Sequence, residues 1–140
     1  VSGRAKQFPF VPRDPAIGAA SLAPLLPLTL VGQQSVEVSA LLDSGATVNV
    51  LPQAVGEQLG FRWEQQTTTV VLTGNLASVE ARAIVVAGIV ADFTPVRLAF
   101  AWAKSNTFPV ILGQVNFFLE FDVCFYRSRG HFDVRPKQSP

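Results

Sequence analysis

Leu41-Leu42-Asp43-Ser44-Gly45-Ala46 runs two large apolar residues straight into an ionisable carboxyl, then a hydroxyl, then a residue with free φ. An acid at a strand end in apolar surroundings is costly to ionise. Taken alone, Asp-Ser-Gly is ordinary turn chemistry, because short polar side chains and glycine suit a tight bend. The residues before it carry more information. Val36, Val38, Ala40 and Leu42 fall on one face, opposite Glu37 and Ser39, the period-2 pattern of a half-buried strand. Residues 25–31, Gly32-Gln33 and residues 35–42 therefore predict a hairpin whose second arm delivers Asp43 to its end.

The rest of the chain is also mostly β in pattern. Residues 52–59 predict a short helix, with Pro52 suited to the first turn and Gly60 to a left-handed cap, although Gly56 weakens its middle. Residues 67–73 and 76–86 flank Gly74-Asn75, a second hairpin candidate. Strands continue over 90–102 and 108–112, residues 114–121 form a short aromatic helix, and 122–126 with 131–135 close the chain as a hairpin. Many short strands with turn signals predict an all-β barrel or sandwich with one or two helical turns. Pro9, Pro12, Pro15 and Pro24 punctuate residues 1–24, which read as an arm or linker that Phe8, Phe10 and Val11 can dock on a surface. The domain is expected over 25–135, with a frayed tail over 136–140.

Composition removes several function classes. A chain of 140 residues is one domain, and 49% apolar with 15% charged residues excludes intrinsic disorder. The formal charge of +1 points to no general nucleic-acid binder. One Cys and one His exclude an intrachain disulfide framework and an ordinary zinc site, so neither a metal nor a cofactor is expected. The richest apolar stretch, residues 81–103, is interrupted by Gly88, Asp92, Pro95 and Arg97 and is no membrane span. A soluble, cytoplasmic location is the expectation. The chain begins at Val1 and contains no Met, which reads as a processed product or an excised piece.

Asp43-Ser44-Gly45-Ala46 resembles the catalytic signature of aspartic proteases, in which Asp-Thr/Ser-Gly-Ala follows an apolar strand. About 70 residues later, Pro109-Val110-Ile111-Leu112-Gly113 resembles that family's second signature, an apolar strand ending in Gly before a short helix. The Gly74-Asn75 segment lies between them, where the family keeps its flap. Only one Asp-Ser/Thr-Gly is present, so the resemblance is to the single-lobe, retropepsin-like enzymes, with bacterial members closest in character over 113–134. It implies a closed acid-protease β-barrel with one hairpin flap, and a homodimer in which each chain gives one aspartate. It further implies Asp43 as the catalytic residue, Ser44, Gly45 and Ala46 as loop support, and Thr73, Gly74 and Asn75 as the flap tip. Ile111, Leu112 and Gly113 would be the supporting strand. The implied partners are a second copy and a peptide or protein substrate, with no nucleic acid and no metal.

Two departures from the retroviral pattern matter. Where retroviral enzymes carry acids after the catalytic loop, Thr47 and Val48 stand here, and Gln114 replaces the Arg that pairs with the first of those acids. Both halves of one ion pair are absent together, which implies a dimer braced differently. An alternative function keeps the fold as a dimerisation or peptide-binding module with little turnover; the intact Asp43, Ser44 and Gly45 favour the enzyme. Cys124, in an apolar alternating strand, is expected as a small buried hydrophobe. Phe117, Phe118, Phe121 and Phe125 read as core, Trp63 and Trp102 as core or flap-base packing, and Arg127 and Arg129 as a solvated turn. His131 lacks a serine-hydrolase setting, since no Gly-x-Ser-x-Gly elbow exists.

Overall fold

Strands dominate because apolar residues recur at period 2 with turn residues between them. The computed structural model describes residues 4–138. In chain order the elements are β1 (Lys6–Pro9), β2 (Val11–Pro12), β3 (Leu22–Ala23), β4 (Leu25–Val31), β5 (Ser35–Leu42), β6 (Asn49–Leu51) and α1 (Gln53–Gln58). They continue as β7 (Thr69–Val70), β8 (Ala81–Ile89), β9 (Val96–Ala103), β10 (Ile111–Leu112), α2 (Phe117–Glu120), β11 (Phe121–Tyr126) and β12 (His131–Pro136).

Six strands close a barrel in the order β4-β5-β10-β6-β9-β8, and β8 returns to β4 through the pairs Thr29–Ile89, Leu30–Gly88 and Val31–Ala87. This is an all-β fold with two short helices. The β4–β5 hairpin has the bounds its alternation predicts, with Leu26, Leu28, Leu30, Ala40 and Leu42 buried in the barrel. Strand β10 is only two residues long, yet it lies between β5, to which it is parallel, and β6, to which it is antiparallel. Its register sets Ile111 beside Leu41 and Leu112 beside Leu42.

Helix α1 starts after Pro52, as expected, and Gly60 follows it at φ +97°. Gly56 has a reason that sequence periodicity does not reveal. A Cβ there would lie 2.1 Å from Trp102 Nε1, so its absence admits the indole against the helix. Trp102 is fully buried and its Nε1–H donates to the Gln53 carbonyl at 3.1 Å.

Residues of the predicted arm are built into the fold. β1 pairs antiparallel with β12, which pairs with β11, giving a three-stranded sheet. Phe8 stacks on Phe132 at 5.5 Å and Phe10 meets the same ring edge-on at 5.8 Å. Proline is tolerated here because β1 is an edge strand, where a missing N–H leaves no ladder bond unmade. Pro136 ends β12 and Lys137 N–H donates to the Glu120 carbonyl, so this part of the expected tail is held; residues 1–3 and 139–140 lie outside the described residues. Cys124 is exposed, contrary to the buried position that alternation predicts, and Phe125 is also exposed: β11 is the other edge of this small sheet and covers little beyond Phe121 and Val123. Phe117 and Phe121 are fully packed, 4.9 Å apart and stacked. Among the described residues no helix is long and apolar enough to cross a membrane.

The barrel's one buried polar side chain among the described residues is Asn49 on β6. Its Oδ1 accepts from the N–H of Gly113 at 2.8 Å and of Phe117 at 3.4 Å. Its Nδ2 donates to the Ala99 carbonyl at 2.9 Å and to Asn116 Oδ1 at 3.0 Å. Asn116 in turn accepts from Ala99 N–H and donates to the Arg97 carbonyl at 2.7 Å. One carboxamide thus ties β6, β9 and the end of β10 together. A buried donor left without a partner costs about 1–3 kcal/mol. Asn49→Ala should therefore lower the unfolding free energy by about 2–4 kcal/mol, counting the small cavity with the orphaned amides. Urea unfolding checks this; a loss below about 0.5 kcal/mol, the range of neutral surface changes, contradicts it.

Candidate active site

The end of β5 is held on its β10 side by main-chain bonds. Leu41 N–H donates to the Val110 carbonyl at 2.8 Å, and Asp43 N–H to the Leu112 carbonyl at 3.0 Å. Asp43 is therefore placed by the barrel wall, with its side chain half-buried. The chain then turns: Ala46 N–H donates to the Asp43 carbonyl, and Gly45 N–H donates to Asp43 Oδ1, both at 3.0 Å. A Cβ on Gly45 would stand 3.3 Å from that same Oδ1, a tight approach. The turn reading of Asp-Ser-Gly is thus correct as local structure, and the turn braces the carboxylate.

Gly113 is fixed by space. A Cβ there would meet the Val48 carbonyl oxygen at 2.5 Å and that of Ala46 at 2.8 Å, so no L side chain fits without moving backbone. The close approach brings the following residues onto the Asp43 loop. Gln114 N–H donates to the Ala46 carbonyl and Val115 N–H to the Thr47 carbonyl, both at 2.9 Å. The Gln114 side chain reaches further back, and its Nε2 donates to the Ser44 carbonyl at 2.7 Å.

A cleft of about 280 Å³ opens beside the loop, lined by Asp43, Gly45, Ala46, Thr47, Val48 and Val50 on one side. Residues 72–76 and Ile111 complete it. Asp43 is the one ionisable side chain among these lining residues. Thr73, Gly74 and Asn75 thus share a cleft with Asp43. Leu112 and Gly113 are buried behind it, and Ser44 is exposed outside it.

The segment over that cleft is not the two-residue hairpin that Gly74-Asn75 predicts. Pairing between β7 and β8 stops at Val70–Ala81, and residues 71–80 form a longer connection with a 3-10 turn at Gly74–Leu76, where Gly74 has φ +64°. The physical reason lies in the leucines. Leu72 and Leu76 fold in against Val50, Ala81, Ala101 and Ala103, which breaks strand alternation, while Val71 is left 84% exposed. At the base of this connection Arg82 lies 4.6 Å over the Trp63 ring and donates to the Trp63 carbonyl at 2.7 Å. Trp63 and Trp102 meet edge to face at 5.2 Å, so both tryptophans pack the barrel wall and the base of the connection.

Sequence reasoning missed Asn49 and the reach of Gln114. Asn49 had a signal: a carboxamide inside Val48-Asn49-Val50-Leu51 is a polar group in an apolar strand, and such groups are buried only with partners. Gln114 had only the departure from the retroviral pattern.

Comparison with known proteins agrees with this geometry. A family model described as aspartyl protease matches residues 26–115, which span β4 to the end of β10 and include both Asp43 and Gly113. No curated protein matches. Among solved structures, a retropepsin-like aspartic protease from Rickettsia conorii superposes with a TM-score of 0.65, covering 99% of this chain and 98% of that one at 10% identity. At that identity the likeness speaks for the fold, and the family match for descent. With its retropepsin-like barrel and the matched stretch from 26 to 115, the chain belongs to the aspartyl protease family.

Proposed function

We propose that this protein is an aspartic endopeptidase that works as a homodimer, with the two Asp43 carboxyls forming one dyad. The observation that carries the reading is a cleft with a single ionisable side chain, Asp43, held at a strand end by the Leu112 carbonyl and the Gly45 amide. One carboxyl cannot serve as general base and electrophile in the same step. A second copy supplies the other.

Two carboxyls within a few ångströms do not both ionise cheaply, so the pair retains one proton. The ionised member takes a proton from a water between them, and that water attacks the scissile carbonyl. The protonated member hydrogen-bonds the carbonyl oxygen and stabilises the charge that develops on it. Titration then belongs to the pair and not to either residue. Residues 71–80 act as the lid: residues 72–76 of this connection line the cleft with Asp43, and Leu72, Leu76 and Val79 anchor it inward. Closing such a connection over substrate excludes bulk water and completes the site. Ser44 braces the partner's loop, and Gly45 leaves room for substrate backbone.

Asp43→Asn keeps an oxygen to accept from Gly45 N–H, so the fold should persist with an unchanged unfolding midpoint. It removes base and acid from both halves of a symmetric site, and peptide cleavage should vanish. Wild-type-like turnover by this variant would sink the assignment.

The rate should be greatest on the acidic side and fall as pH rises, because losing the shared proton leaves two repelling carboxylates and no electrophile. A rate still climbing through neutral into basic pH contradicts the dyad. Chelators should leave activity unchanged.

Specific activity should also fall on dilution, because a monomer holds half a site. Activity measured alongside sedimentation velocity decides this. A constant rate per chain well into the monomeric range would overturn the shared site.

A further inference from the structure

We propose that Gln114 is a positioning residue for the Asp43 carboxylate, acting through the Ser44–Gly45 peptide. This rests on the reading of Asp43 as the catalytic acid. The Ser44–Gly45 peptide is one rigid unit. A trans peptide is planar, with its C=O and N–H pointing in opposite directions. In the Ser44–Gly45 peptide both ends are engaged: the carbonyl accepts from Gln114 Nε2 at 2.7 Å, and the N–H donates to Asp43 Oδ1 at 3.0 Å. Holding the carbonyl therefore aims the amide at the carboxylate.

The loop has need of such a hold. Glycine at 45 makes rotation of the peptide before it inexpensive, because Gly populates regions of φ closed to other residues. Rotation would turn the N–H away from Asp43 and present the Ser44 oxygen's negative end toward a carboxylate. Gln114 opposes this from a fixed base. Its own N–H is bound to the Ala46 carbonyl, and it directly follows Gly113, wedged against the Val48 and Ala46 carbonyls. Among the described residues, no other side chain outside residues 43–48 donates to the main chain of residues 43–46. The two bonds also polarise one another through the shared peptide, each strengthening its neighbour.

Gln114 is exposed, so its bond to Ser44 adds little to global stability. Its loss should register in the chemical step. The experiment compares wild type, Gln114→Ala and Gln114→Glu on one peptide substrate, measuring kcat and KM across pH, thermal midpoints, and hydrogen exchange at the Gly45 amide by NMR. Gln114→Ala should lower kcat about 10-fold, a change of about 1.4 kcal/mol, with KM and the thermal midpoint unaltered and the Gly45 amide exchanging faster. Gln114→Glu has nearly the same shape, but its carboxylate cannot donate to Ser44 O. A protonated glutamate can. The ratio of its kcat to wild type should therefore rise as pH falls through the glutamate range, near ~4.3.

Unchanged kcat and unchanged Gly45 exchange in Gln114→Ala would overturn the proposal. So would a flat Gln114→Glu ratio across pH, or a kcat loss matched by a fall in thermal midpoint, the mark of a merely structural residue. If the wild-type chain cleaves nothing under any condition, the reading of Asp43 fails. Gly45 exchange in the three proteins still decides whether Gln114 holds the loop.

Discussion

The site depends on the insertion of β10 between β5 and β6. That two-residue strand must approach so closely that Gly113 has no room for a Cβ between the Val48 and Ala46 carbonyls. Bringing backbone this near to backbone in a dry interior obliges every amide there to find an acceptor. The Gly113 amide finds Asn49 Oδ1, fully buried on β6. The Asp43 amide finds Leu112. Glycine at one position and a carboxamide at another thus solve one problem, which is how to seat a loop on a strand end without leaving polar groups unpaired. The position of Asp43 is a consequence.

How much of this was legible in the sequence follows from the range of the forces involved. The β4–β5 hairpin was fully legible, because its alternation is local and its turn spans only residues 32–34. Helix α1 was legible from Pro52 and Gly60, but the role of Gly56 was not. It answers to Trp102, a neighbour distant in the chain, and nothing local to the helix announces an indole. Barrel closure by β4 against β8 was implied by the family resemblance and by no local pattern, since nonlocal pairing leaves no mark in the periodicity of either strand. The prolines of the first 24 residues point to free chain only if the strand they interrupt is central. At a sheet edge Pro9 removes an amide that has no ladder partner to lose, and Phe8 and Phe10 bring the segment onto Phe132.

The site shows the same division. Asp43 was legible because its signature is contiguous. The connection beside its cleft is not the tight hairpin expected: Gly-Asn is a good hairpin turn, yet Leu72 and Leu76 gain more by folding onto Val50 and Ala101 than a longer ladder would return. Burying a leucine is worth about 1.5–3 kcal/mol, against about 0.5–1.5 for a solvent-exposed ladder bond. Cys124 and Phe125 went the other way, because alternation assigns residues to one face or the other and is silent on how far along the strand each face is covered.

Replacing an ion pair by an amide changes more than its strength. In the retroviral arrangement that this chain resembles, an acid and an Arg brace the loop; here Thr47 and Gln114 occupy those positions, and the brace is a neutral carboxamide on a neutral carbonyl. An acid–Arg pair weakens as pH falls through the carboxyl range, and it is screened by salt when exposed. A carboxamide has no proton to gain in that range and carries no net charge to screen. An enzyme whose chemistry depends on keeping one proton between two carboxyls works best on the acidic side, where an acid-based brace would be weakening. Gln114 supplies a hold on Ser44 that is indifferent to the proton concentration the proposed dyad requires, and it does so from the exposed surface without burying a charge.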